Sequence, residues 1–139
     1  MSIVWAVDVA SALADLTEIS SQVEAAAVVD ADGAVLGSTL VAEPDTERLV
    51  RAGLGLIEQA TARFGSSGRT VTQLEAALRE GSVFVVREDG LGIVARTGAG
   101  PTSGLVFYDL RTCLRAVAAT KKKSKPRSRA AKKTETADA

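Results

Sequence analysis

The sequence predicts an α+β fold, an antiparallel sheet covered by helices, and three observations carry that reading. Two pairs of short apolar runs are each joined by a tight turn signal, Asp30-Ala31-Asp32-Gly33 in the first pair and Glu88-Asp89-Gly90 in the second. Helical periodicity precedes, separates and follows these hairpins, so helices lie on the sheet rather than between parallel strands. The length of 139 residues, 46% hydrophobic and 24% charged, is one domain's worth of ordinary globular chain. A core of that size buries roughly two-thirds of the unfolded surface, so neither disulfide nor structural metal is required.

The first element is an amphipathic helix from Val4 to Ile19, because Trp5, Val9, Leu13, Leu16 and Ile19 recur at spacings of three and four. Asp8, Asp15 and Glu18 fall on its wet face. Val23–Val29 and Ala34–Thr39 form the first hairpin, in which the small side chains of Ala25, Ala26 and Ala27 let a helix lie close. Pro44 suits the first turn of a second helix, with Asp45 and Glu47 at its positive end, and the helix runs to Phe64 before Gly65.

That second helix is apolar over too wide an arc. Leu49, Gly53, Leu56, Ala60 and Phe64 make one stripe; Val50, Leu54 and Ile57 make another beside it. One sheet does not cover both. Gly53 and Gly55 each cost about 1 kcal/mol in a helix interior relative to alanine, which points to a close backbone approach. A buried central helix within one chain and a dimer seam are the two readings, and the few elements left to enclose the helix favour the seam.

Val71–Arg79 supports two assignments, of which local propensity alone favours helix. Thr72 with Glu75 is a capping-box pattern ahead of strong helix formers, yet Thr72, Leu74, Ala76 and Leu78 also alternate with Val71, Gln73, Glu75 and Ala77 as in a half-buried strand. Val83–Arg87 and Leu91–Thr97 are strands, and a loop through Gly98, Gly100 and Pro101 enters a last helix near Thr102. Its core stripe is Phe107, Leu110, Leu114 and Val117, with Cys113 beside it.

A formal net charge of zero conceals a division. Before Thr120 there are nine arginines and fifteen carboxylates, a net of −6; from Thr120 to Ala139 there are eight cations and two carboxylates, a net of +6. Residues 1–119 therefore form the domain and 120–139 a basic tail, expected to be disordered for want of large apolar residues. Lys121, Lys122, Lys123, Lys125, Arg127, Arg129, Lys132 and Lys133 give it affinity for polyanions, weak and non-specific nucleic acid or an acidic surface, without an aromatic side chain to stack on bases. No apolar stretch reaches membrane-spanning length and no basic region precedes the apolar N-terminus, so a cytoplasmic location is expected.

With no histidine and one cysteine, the chain makes no Ser-His-Asp triad, no Cys-His dyad and no Cys/His zinc site. Gly98, Gly100 and Gly104 lie where backbone N–H groups cradle phosphate, but they match no dinucleotide fingerprint and lack the lysine of a Walker loop. Asp30 with Asp32, and Glu88 with Asp89, read as turn residues rather than metal ligands. No cofactor, metal or catalytic residue is expected.

Taken in order, these elements resemble the roadblock family, small dimeric domains related to the roadblock light chain of dynein and to bacterial regulators of Ras-like GTPases. The resemblance covers about residues 8–119. It rests on Leu13-x-x-Leu16-x-x-Ile19 leading to Val23, on the hairpin Ala25–Ser38, on the small-residue helix Glu47–Phe64, and on Gly104-Leu-Val-Phe-Tyr-Asp-Leu-Arg111. It implies a profilin-like, five-stranded antiparallel sheet with helices on its faces in the order α-β-β-α-β-β-β-α, which makes Val71–Leu78 the third strand. It further implies a homodimer, or a heterodimer with another roadblock chain, formed by the second helix and third strand. Val50, Gly53, Leu54, Ile57, Thr61, Val71, Gln73 and Glu75 are the expected interface. The implied function is a non-enzymatic activator or scaffold for a Ras-like small GTPase; nothing singles out Arg48, Arg51 or Arg63 as an arginine finger. The alternative from the charge pattern is a nucleic-acid or nucleoid-associated protein, and a small-molecule sensor is a third reading from architecture alone.

Overall fold

The computed structural model describes residues 3–65 and 70–133, with side chains described within 8–65 and 70–120. Trp5 and the side chains of the basic tail fall outside that range. The elements are α1 (Ile3–Ile19), β1 (Val23–Asp30), β2 (Val35–Ser38), α2 (Glu43–Phe64), β3 (Gln73–Ala77), β4 (Gly81–Glu88), β5 (Leu91–Gly98) and α3 (Ser103–Lys133). One antiparallel sheet of order β2-β1-β5-β4-β3 carries all five strands. The expected element order is the observed one, and the ambiguous segment is a strand.

Turn chemistry sets both hairpins. Asp30 Oδ1 accepts from the backbone N–H groups of Asp32 and Ala34, each at 2.9 Å, so this carboxylate closes its own turn. Asp89 and Gly90 both have positive φ, the pairing that a two-residue hairpin needs. The loop at Gly98 and Gly100 does structural work too: the Thr102 N–H at the entrance to α3 donates to Gln22 Oε1 at 2.6 Å.

β1 and β5 are central and buried on both faces. On one face α1 and α3 lie side by side over Ala26, Val28, Phe84, Val86, Ile93 and Ala95, with Phe84 and Phe107 in edge-to-face contact at 5.0 Å. On the other face α2 lies alone. The helical trace of α3 passes Ala119, the expected domain boundary, and reaches Lys133. Ala118 is the last described core side chain on α3. Ile19, expected in the core stripe of α1, is 67% exposed, because it is the last residue of that helix. No helix among the described residues is long and apolar enough to cross a membrane.

Gly53 is where α2 comes closest to the sheet: a Cβ there would collide with both methyl groups of Val94 on β5. At Gly55 the same atom would meet nothing within 4 Å. Gly53→Ala is therefore expected to destabilise by about 1–3 kcal/mol through overpacking. Gly55→Ala should instead raise the thermal midpoint, gaining about 1 kcal/mol of helix propensity. Equal effects at the two positions in parallel thermal melts would refute this placement of α2.

Cys113 sits on α3 against α1, with its Sγ 3.6 Å from the carbonyl oxygen of Ala12. Burial, and then the nearby charge of Asp15, push its thiol from the ordinary 9.0 up to about 11. The folded chain thus favours the neutral thiol, and that contribution is complete below 9.0 and lost as pH rises toward about 11. Wild type should lose more stability than Cys113→Ala across this interval, and parallel pH profiles for the two proteins would contradict it.

Candidate functional site

The side chains that α2 turns to its own sheet are Thr46, Leu49, Val50, Gly53 and Ile57. They combine members of both expected stripes. Leu49 and Ile57 pack with Val85 and Val94, toward β4, and meet the half-buried Leu74 and Val83. Val50 packs with Ala27 and Val29 on the opposite flank, joined by Leu54, which lies beneath Gly33 of the first hairpin.

This arrangement divides the expected interface residues. Gly53 and Ile57 lie beneath α2, covered by the chain itself, and Val50 is 7% exposed. Leu54 is on the β1–β2 flank, far from the strand expected to join it. Thr61 Oγ1 donates to the Ile57 carbonyl at 2.7 Å and accepts from Arg87 at 3.3 Å. Val71 is half-buried beside the α2 core.

Register fixes the face of β3 on which Gln73 and Glu75 lie. Gln73 pairs with Val86 and Glu75 with Phe84, whose side chains lie under α1 and α3, so both point away from α2. They are held there: Arg111 donates to Gln73 Oε1 at 2.8 Å, and Ser103 donates to Glu75 Oε1 at 2.7 Å. Leu74 and Ala76, paired with Val85 and Val83, share the face with α2.

What is left uncovered is a strip between α2 and the edge strand β3. Leu56 is 37% exposed, Phe64 72% and Leu78 64%, while Ala60, Leu74, Ala76 and Val83 are half-buried. Strands are about 4.8 Å apart and a helix with its side chains about 10–12 Å across, so one helix centred over β5 leaves the β3 side of a five-stranded face bare. β3 also ends the sheet, with its outer backbone groups free of any strand among the described residues. The signal for this strip was in the sequence, as the apolar phase Leu74, Ala76, Leu78 and the stripe Leu56, Ala60, Phe64.

A second concavity, of about 530 Å3, lies at the end of the sheet where the two hairpin turns meet α2. Asp30, Asp32, Glu58, Glu88 and Asp89 give it an acidic character around Arg87, whose guanidinium also donates to the Val71 carbonyl at 3.5 Å. Arg87 is thus engaged within the chain. Arg48 pairs with Asp45 in the first turn of α2, while Arg51 and Arg63 are exposed on it.

No protein-family model matches the chain, and no curated protein matches it. Solved structures do. The gliding protein MglB of Thermus thermophilus superposes with a TM-score of 0.71, over 88% of this chain and 94% of that one, at 13% identity. MglB of Myxococcus xanthus gives 0.70, covering 85% and 90%, at 13% identity. A roadblock/LC7 domain of Streptomyces avermitilis gives 0.65, covering 76% and 91%, at 19% identity. The antiparallel sheet β2-β1-β5-β4-β3, with α1 and α3 on one face and α2 alone on the other, is the roadblock/LC7 fold.

Proposed function

We propose that this chain is a non-catalytic, cytoplasmic roadblock-family adaptor that forms a dimer through α2 and β3 and regulates a Ras-like small GTPase as activator or scaffold. The observation that carries the reading is the bare apolar strip beside an open sheet edge. A second copy related by a twofold axis covers it by pairing β3 with β3 and α2 with α2, so that each copy's Leu56, Ala60, Leu74 and Leu78 gain an apolar neighbour. The partner is a second copy or another roadblock chain. The GTPase follows from the roadblock fold and the family resemblance, and the chain's contribution is to reshape or hold switch loops rather than to insert an arginine.

A second reading concerns the basic segment alone. Eight cations between Lys121 and Lys133, with no carboxylate among them, follow a body of net −6. We propose that this segment adds weak, non-specific attraction to polyanions such as nucleic acid, as an accessory to the adaptor role.

Light scattering on the full chain should give the mass of two 14.4 kDa chains across a range of concentrations. Leu56→Glu or Leu78→Glu should return the mass of one chain with the circular dichroism of the folded protein. The dimer should bind a Ras-like GTPase of the same organism more tightly in its GTP-analogue form than with GDP. A wild-type monomer would remove the seam, and nucleotide-blind or absent binding would remove the GTPase.

Replacing the eight tail cations with glutamine should abolish retention on duplex DNA at about 50 mM salt, and wild type should be released by about 200 mM. Equal retention of both proteins would eliminate the second reading.

A further inference from the structure

On the face of the sheet opposite α2, α1 and α3 pack side by side and leave a groove of about 310 Å3 along their contact. Leu16 and Cys113, 3% and 5% exposed, form its floor. Ile19 and Tyr108, among the most exposed large apolar side chains of the described chain at 67% and 62%, stand at its walls. Asp15 and Asp109 line it as well, and among the described residues it has no lysine or arginine. Asp15 is close enough to the floor for its charge to act on Cys113.

We propose that this groove docks an amphipathic helix of a separate protein, one presenting an apolar ridge flanked by lysine or arginine. The groove runs between helical stripes, Ala12, Leu16 and Ile19 on one side and Tyr108, Thr112 and Ala116 on the other, at spacings of three and four. A third helix laid between two such ridges repeats ordinary helix packing and reads i, i+3 and i+4 anchors. An open trough of this volume suits side chains entering from above rather than an enclosed small molecule.

Charge selects the occupant. An apolar floor with only carboxylates beside it complements an apolar ridge edged with cations. The chain's own basic segment matches the carboxylates but has no large apolar residue after Val117 to fill the floor. A second copy docking by this same groove would set its own Asp15 and Asp109 against these two, and an anionic membrane surface would meet the same carboxylates. The proposal rests on neither the α2–β3 dimer, which lies with the other face, nor the GTPase.

The test uses the full chain and a fluorescein-labelled model helix of leucine and lysine, about 14 residues or four turns long. Anisotropy should report saturable binding that weakens at least about tenfold for Tyr108→Glu, while Val41→Glu, the same charge change on a residue outside the groove, leaves it unaltered. Tyr108→Glu makes the protein more acidic, so attraction by charge alone would strengthen instead. A probe with glutamate in place of lysine should not bind, and the lysine probe should slow alkylation of Cys113. Undiminished binding to Tyr108→Glu, or alkylation indifferent to the probe, overturns the proposal. So does a change in the chain's own solution mass on Tyr108→Glu, which assigns the groove to a second copy. Retention on phosphatidylcholine vesicles lost in the same variant assigns it to a membrane and likewise overturns it.

Discussion

The contact of Gly53 with Val94 governs the rest of the molecule. It lets α2 settle on β5, near the middle of the sheet, and so fixes which strands that helix covers. Two helices fill the opposite face, but one helix cannot fill this one, whatever its composition, because five strands span more width than a helix does. The asymmetry is therefore geometric before it is chemical. The sequence then decides what chemistry the uncovered strip carries, and Leu56, Leu74 and Leu78 make it apolar rather than polar.

Much of the fold could be read from residues because its determinants are local. The hairpins are written in Asp30 to Gly33 and in Asp89-Gly90, whose side chains or permitted φ values make the turns themselves. Outside residues 71–79, the order of helices and strands follows from periodicity. The segment at 71–79 was harder, since its helix propensity and its alternation disagree, and an edge strand offers only one ladder to overrule propensity. The family resemblance decided it correctly.

The interface residues were less legible, for reasons that are not local. Two stripes on α2 were visible, but which flank lies toward β3 depends on the strand order β2-β1-β5-β4-β3, which no window of sequence contains. Leu54 thus lies on the first hairpin's side of α2, away from β3. Gln73 and Glu75 show how a period of two turns a shift of one residue into the opposite face. In an antiparallel edge strand the apolar positions, Leu74 and Ala76, mark the side buried under α2, and the polar positions reach Arg111 and Ser103.

The placement of the two apolar surfaces on opposite faces has a consequence for how an adaptor works. A dimer closed through α2 and β3 leaves α1 and α3 of both copies outward, so that its twofold axis presents two identical grooves. A partner with one basic helix would meet two equivalent sites, and a partner with two would gain effective concentration from the fixed spacing rather than from any new contact. Self-association on one face would thereby raise the avidity of the other without a conformational change. The width of the sheet, by leaving a strip beside α2 uncovered, would in the proposed dimer make self-association the means by which two weak grooves act as one binding surface.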